Sequence, residues 1–311
     1  MIEEILCEAR KAGASDVHLV AGMPPKMRIG GELFSMNFPR VAPADTLDIL
    51  ISVMPQTLRD RFEERGEYAF SFTLPAGGRC RANVYRQKGS IALALRLIEA
   101  EIQAPEELGI PDSLMELGQR ESGLVLITGT SGSGKSATLS AILNRINDSR
   151  ECLIITLEDP VEYLHPCKRA MISQREVGVD CRSQAEGIGA AVREDADIIA
   201  IEELRDEESA RAAIAAAETG HLVFAVLSAA DAVDSVERVL DMFPATGQER
   251  MRARLSNVLT AVSFQQLLPV PDGDGRVAAF ELLSMDDRIR RIIREGRSSE
   301  LASEVQSWSQ E

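Results

Sequence analysis

The chain is 311 residues long, 45% hydrophobic and 27% charged, enough for one large core or two moderate ones, with two domains the better expectation. A formal net charge of -15 argues against a sequence-blind nucleic-acid binder, which needs a basic face to displace counterions from phosphates. No run approaches the roughly 18 to 20 apolar residues that span a bilayer, and Met1-Ile2-Glu3-Glu4 lacks the basic start of a signal peptide, so a cytoplasmic protein is expected. Cys7, Cys80, Cys152, Cys167 and Cys181 are odd in number and form no C-x-x-C pair. They read as buried free thiols, not as a disulfide framework or zinc knuckle.

In chain order, Ile2, Ile5, Leu6 and Ala9 recur at helical spacing and stop at Gly13, the pattern of a short amphipathic helix. Strand-like stretches follow at 16–20, 26–29 and 32–36, separated by Gly22, Pro24, Pro25, Gly30 and Gly31. Helices are predicted at 43–53 and 56–64. β character returns at 68–74, 79–86 and 90–98, with Gly77-Gly78 and Lys88-Gly89 as turns. These elements describe an α+β domain over 1–99, followed by a linker over 100–112 that holds Pro105, Gly109 and Pro111, and a second domain over 113–311. Arg81, Arg86 and Arg96 sit on mostly apolar strands; they read either as solvated strand faces or as groups directed at a nucleotide held by a neighbouring subunit. His18 has no second ligand at metal spacing and reads as a hydrogen-bonded structural histidine.

The second domain opens with the apolar run Leu124-Val125-Leu126-Ile127 and then Gly129-Thr130-Ser131-Gly132-Ser133-Gly134-Lys135-Ser136, a complete G-x-x-x-x-G-K-[ST] match. An amphipathic helix (Leu139, Ile142, Leu143, Ile146) follows, which is the context a phosphate-binding loop requires. Glycines let successive backbone N–H groups point inward, and the helix N-terminus adds its positive end. Lys135 then reaches the β- and γ-phosphates, and Ser136 offers its hydroxyl to Mg²⁺. With Ala137 beside them, residues 129–137 are the candidate nucleotide contacts.

A buried-type strand at 152–157 runs into Glu158-Asp159-Pro160. Carboxylates at the carboxyl end of a strand in an open α/β sheet fall where ligands bind, so Glu158 is a candidate to orient or deprotonate the attacking water, with Asp159 near the metal. The plain alternative is a strand-end turn carrying two acids before a proline. A further strand at 198–201 ends in Glu202-Glu203; an acid there holds Mg²⁺ in P-loop ATPases, and strand alternation lets only one of the two face the phosphates. Asp206 starts an alanine-rich helix to 218. His221, after Gly220 and before a strand at 222–227, reads as a turn residue or as a γ-phosphate sensor. A long helix is predicted over 246–268, a strand over 276–282, a basic helix over 288–294, and a polar end over 298–311 with Trp308 alone. Repeated strand–helix alternation around the loop predicts an α/β, RecA-like parallel sheet with helices on both faces.

With these residues in view, the chain resembles the PilT-type retraction ATPases of type IV pili, within the wider class of type IV pilus and type II secretion ATPases. The likeness spans roughly 1–297. It includes Gly13-Ala14-Ser15-Asp16-Val17-His18-Leu19, Arg79-Cys80-Arg81-Ala82-Asn83-Val84, the phosphate loop, and Thr156-Leu157-Glu158-Asp159-Pro160-Val161-Glu162-Tyr163, which is similar to that family's Asp box. Arg193-Glu194-Asp195 leading to Glu203-Leu204-Arg205-Asp206 is similar to its Walker B region, and Ala217-Glu218-Thr219-Gly220-His221-Leu222-Val223-Phe224 to the start of its His box.

The resemblance implies an N-terminal PAS-like domain and a C-terminal RecA-like domain in a homo-hexameric ring that binds ATP and Mg²⁺ between them. It implies a motor that drives pilus retraction and twitching through an inner-membrane platform protein, with another pilus ATPase as a further partner, peripheral to the inner membrane on the cytoplasmic side and without direct nucleic-acid contact. By the same resemblance Glu158 is the catalytic base, Glu203 the metal-linked acid, His221 a retained His-box member, Lys135 the phosphate lysine, and Arg81 and Arg96 arginines that reach the phosphates. Three departures accompany it. Ser228 stands where the family has a second histidine, an effect bounded by the about 4 to 7 kcal/mol of an arginine finger. Glu202 replaces a glycine, and acids so close disfavour each other's ionisation unless a cation or Arg intervenes. The segment 288–295 resembles the family's AIRNLIRE stretch, but the helices that normally follow are short here. These departures carry the alternative expectation of a nucleotide-binding, weakly hydrolysing paralogue that regulates or joins a more active ring. A nucleic-acid translocase is disfavoured by the acidity.

Overall fold

A computed structural model describes residues 1–74, 78–98, 102–269, 276–304 and 306–309. The chain forms two compact units, Met1–Glu101 with Glu162–Leu164, and Ile102–Val161 with His165–Glu311. The start of the expected linker and Gly77 of the expected Gly77-Gly78 turn lie outside the described residues.

The first unit contains α1 (Ile2–Lys11), β1 (Asp16–Val20), β2 (Lys26–Ile29), β3 (Glu32–Ser35), α2 (Pro43–Val53), α3 (Gln56–Arg65), β4 (Glu67–Thr73), β5 (Arg79–Gln87) and β6 (Ser90–Ile98). Its strands pair antiparallel in the order β3-β2-β1-β6-β5-β4. Alternation on β5 sends Cys80, Ala82 and Val84 into the core and leaves Arg81 and Tyr85 on the other face. Helices α1 and α2 supply Ile5, Leu6, Ile49 and Leu50 to that core, and α3 supplies Phe62. Glu3 and Glu4 in the first turn of α1 and Arg10 and Lys11 in its last complement the helix dipole.

The second unit runs α4 (Asp112–Met115), β7 (Gly123–Gly129), α5 (Lys135–Ser149), β8 (Leu153–Glu158), β9 (Met171–Glu176), α6 (Gln184–Arg193), β10 (Ile198–Ile201), α7 (Glu207–Glu218), β11 (Leu222–Ser228), α8 (Ala232–Asp241), α9 (Ala245–Val258), β12 (Leu259–Pro269), β13 (Arg276–Ser284), α10 (Asp287–Arg294) and β14 (Gln306–Ser309). Its strand order is β14-β13-β12-β7-β11-β10-β8-β9. From β12 to β9 every pairing is parallel, and β13 and β14 add an antiparallel edge. One face, with Val125, Ile127, Ile154 and Phe224, packs under Leu139, Ile142 and Leu143 of α5. The other, with Leu124, Leu126, Ile155 and Val223, packs against α6 to α10. Burial on both faces explains the continuous apolar strands. No helix among the described residues is long and apolar enough to cross a membrane.

Several expectations are corrected. The helix expected over 246–268 ends at Val258, and Leu259 begins the central strand β12. A run buried on both sides has no period that separates strand from helix. The polar end over 298–311 contains a 3-10 helix, Ser298–Glu304, and β14. Strand β9 and helices α6 and α8 carry no expectation of their own above. Among the five free cysteines only Cys80 is buried, while Cys7 and Cys167 are exposed. His18 lies on β1, but its Nε2 is buried without a hydrogen-bond partner.

Candidate active site

Strand β7 is buried along its whole length and delivers Gly129 to the carboxyl edge of the parallel sheet. Only glycine fits there. Its φ is 150°, and a Cβ would stand 2.2 Å from the Gln265 carbonyl oxygen and 2.6 Å from Ser133 Oγ. Gly134, at φ 90°, is the N-cap of α5 and supplies no side-chain cap, so the first amides of α5 stay available to an anion. Thr130, Ser131 and Gly132 form the exposed crest of the loop, Ser133 is buried, and Ser136 and Ala137 are half-buried in the first turn of α5.

Lys135 folds back over the crest, its Nζ donating to the carbonyls of Gly129 at 3.0 Å and Thr130 at 2.7 Å. The Ser133 amide donates to the same Thr130 carbonyl at 3.2 Å. Two donors that a phosphate needs are thus satisfied by the loop itself. Burial pushes the Lys135 ammonium below the ordinary lysine value, and the Glu203 carboxylate works against that shift. Lys135 and Glu203 therefore feel each other's charge.

The parallel register collects the acids at the same edge. Ile201, the last residue of β10, pairs with Leu157 on β8 and Ala225 on β11, and Ser228 pairs with Gly129. Glu158 thus closes β8 on the face that α5 covers, the face shared by Ile154. Its Oε1 accepts hydrogen bonds from Thr156 Oγ1 and, at 2.9 Å, from Gln174 Nε2.

Beyond β10 the Glu202 carboxylate accepts the Asp159 amide at 3.1 Å. Glu203 and Asp159 grip Arg205 from two sides, at 2.7 and 2.6 Å. Burial works to lower the Arg205 pKa, and hydrogen bonds to Glu203 and Asp159 outweigh it and raise it. An arginine and a backbone amide thus stand among the three acids. The structure engages Asp159 with Arg205, not with Ser136. Glu203 and Arg205 also line a cavity of about 380 Å³ with Ser228, Arg238 and Asp241.

His221 is not brought to this edge. Its carbonyl accepts the amide of Gly123, where β7 begins, and its Nδ1 lies 3.0 Å from the Ala216 carbonyl and 3.2 Å from Thr219 Oγ1. Six strand steps at about 3.3 Å each separate β11's two ends, about 20 Å in all. His221 closes the turn after α7, at the far end of β11 from the chain's own loop. Arg81 and Arg96 belong to the first unit and face each other across β5 and β6. Like charges directly opposite cost stability; Asp16 offsets this, holding Arg96 Nε at 3.0 Å. Arg86 pairs with Glu63 and lies over the Phe62 ring.

Gln265 and Arg205 escape the sequence reading. Gln265, 1% exposed, donates from Nε2 to the Ser133 carbonyl at 2.7 Å and so holds the loop from β12; reading that strand as helix hid it. Arg205 was visible in Glu203-Leu204-Arg205-Asp206, but nothing local revealed that it spans to Asp159. Among the described residues no cluster of three or more His, Cys, Asp or Glu could cage a metal. A hydroxyl at Ser136 and a carboxylate at Glu203 fit Mg²⁺, which takes one or two carboxylates and completes its shell with water and substrate phosphates.

A family model described as Type II/IV secretion system protein matches residues 1–310. The chain is 41% identical over 312 residues to the uncharacterized protein YggR of Escherichia coli (strain K12), covering 99% of this chain and 94% of that one. It is 39% identical over 306 residues to the type IV pilus retraction ATPase PilT of Pseudomonas aeruginosa, covering 98% and 89%. A crystal structure of the pilus retraction motor PilT with bound ADP superposes with a TM-score of 0.91 at 46% identity, covering 96% of this chain and 88% of that one.

Proposed function

Because the chain belongs to the type II/IV secretion system protein family, we propose that it is an ATP-hydrolysing motor that powers retraction of a type IV pilus. It is an ATPase, and the observation that carries the reading is one sheet edge: a complete phosphate loop at the end of β7, with Glu158 and Glu203 at the ends of β8 and β10. In this reading six copies form a ring in the cytoplasm, at the inner membrane, and act on a platform protein there.

The phosphates displace Lys135 from the carbonyls of Gly129 and Thr130, and its ammonium and the N-terminal amides of α5 then hold them. Ser136 and Glu203 would hold Mg²⁺, which when bound neutralises charge on the β- and γ-phosphate oxygens. Glu158 takes a proton from the water whose oxygen bonds to the γ-phosphorus. The bond from that phosphorus to the bridging oxygen breaks, leaving ADP and phosphate. Arg81 and Arg96 supply positive charge to a nucleotide on a neighbouring copy.

Phosphate release by the purified chain, with and without Lys135→Ala, tests the enzyme; equal release from both would remove it. Glu158→Gln is expected to lose about 10²- to 10⁴-fold in turnover, the usual worth of a positioned base, with nucleotide still bound.

A further inference from the structure

A glutamate carboxylate turns through a broad, roughly two-fold torsional well, so a base needs something to hold its plane. Two hydrogen bonds hold Oε1 of Glu158. Thr156 lies two residues back on β8 and is 2% exposed; its hydroxyl donates to Glu158 Oε1. Gln174 pairs with Thr156 across β8 and β9 and donates from Nε2 to Oε1 at 2.9 Å. Its own Oε1 accepts the His165 amide at 2.9 Å, so the amide plane is fixed at both ends. Ile154 and Ile172 sit in the core under α5, and strand alternation therefore places Thr156, Glu158 and Gln174 on that face.

We propose that Gln174 is a positioning residue for hydrolysis: pinned by the His165 amide, its side chain fixes Oε1 of Glu158 and thereby sets where Oε2 meets the water. The inference rests on the assignment of Glu158 as base. A neutral amide suits the task. It orients the carboxylate without the ion pair through which an arginine or lysine would suppress its basicity. In this role Gln174 acts through Glu158.

The test separates this from a merely structural role. Gln174→Glu keeps an acceptor for the His165 amide but replaces the donor to Glu158 with a second carboxylate, whereas Gln174→Met removes both bonds at similar volume. Positioning predicts that both variants lose about 10- to 100-fold in kcat, the scale of a misplaced catalytic group, while the Kd for a fluorescent ATP analogue is unchanged. A structural role through His165 predicts normal kcat for Gln174→Glu and damage in Gln174→Met only. Should Gln174→Glu not fold, Gln174→Met takes its place, read with Thr156→Val and its rescue by Thr156→Ser. Normal kcat in Gln174→Met then overturns the proposal. Loss in Glu158→Gln with normal kcat in Gln174→Glu overturns the proposal and leaves the base standing. Normal kcat in Glu158→Gln overturns both.

Discussion

Ser228 and His221 lie at opposite ends of β11, and only Ser228 stands beside the phosphate loop. In a parallel sheet every strand points the same way, so the last residue of each reaches one edge and the residue before each reaches the other. Gly129, Glu158, Glu203 and Ser228 share the first edge, and His221 is left at the second. A few positions in the chain thus become about 20 Å in space. The two histidines of this unit repeat the contrast. His165, beyond the carboxyl end of β8, is half-buried against Ser140 of α5, with Nε2 at 3.2 Å from its hydroxyl. His221 closes a turn at the far end.

The largest effect on nucleotide affinity should come from crowding the carboxyl edge. Gly129→Ala places a methyl 2.2 Å from the Gln265 carbonyl, and overpacking costs about 1–3 kcal/mol, or roughly 5- to 150-fold in nucleotide affinity if the loop absorbs it. Titration with a labelled nucleotide measures this, and normal affinity would break the claim that the loop is shaped against β12.

The second effect uses pH. Burial, with the charge of Lys168, pushes His165 from 6.5 down to about 4. The unfolded chain therefore takes up this proton as pH falls through about 6.5, and the folded chain only near 4. Stability attributable to His165 is present above the unfolded value and is lost as pH falls across that window, because the unfolded state binds more protons there. Urea unfolding of the wild type and His165→Asn at several pH values should show the wild type losing ground between about 6.5 and 4. Parallel curves would refute a half-buried neutral imidazole.

The smallest effect lies at the other edge. His221→Ala removes the contact with the Ala216 carbonyl and should cost about 1 kcal/mol of stability, with the affinity of the chain's own loop for nucleotide unaltered. A weakened affinity would mean that the two edges communicate and would blunt the comparison.

The first unit was readable along its length because its information is local. Apolar residues at 2, 5, 6 and 9 make one stripe, and the expected helix at 43–53 is Pro43–Val53. The hairpin of β5 and β6 turns at Lys88-Gly89, where both φ values are positive. The second unit hid more. Strand β9 lies at an edge and is polar after Met171 and Ile172, with Met171 itself exposed. Helix α6 carries Gly187, which reads as a breaker, yet a Cβ there would meet Leu157 at 2.6 Å; the glycine lets the helix approach β8. Of the site, the loop and its acids were legible as motifs. Gln265 and Gln174 were not, since an isolated glutamine has no signature until a partner from a distant strand is beside it.

Sequence alone determined that a phosphate loop exists, that acids end two strands, and that an antiparallel α+β unit comes first, because glycine spacing and periodicity act over a few residues. Only the tertiary structure decided which groups share an edge. The neighbours of β10 are β8 and β11, and those of β7 are β11 and β12, an order set by burying both faces of one sheet under helices. That order brought Glu158, Glu203, Arg205 and Ser228 to the loop's edge and carried His221 away.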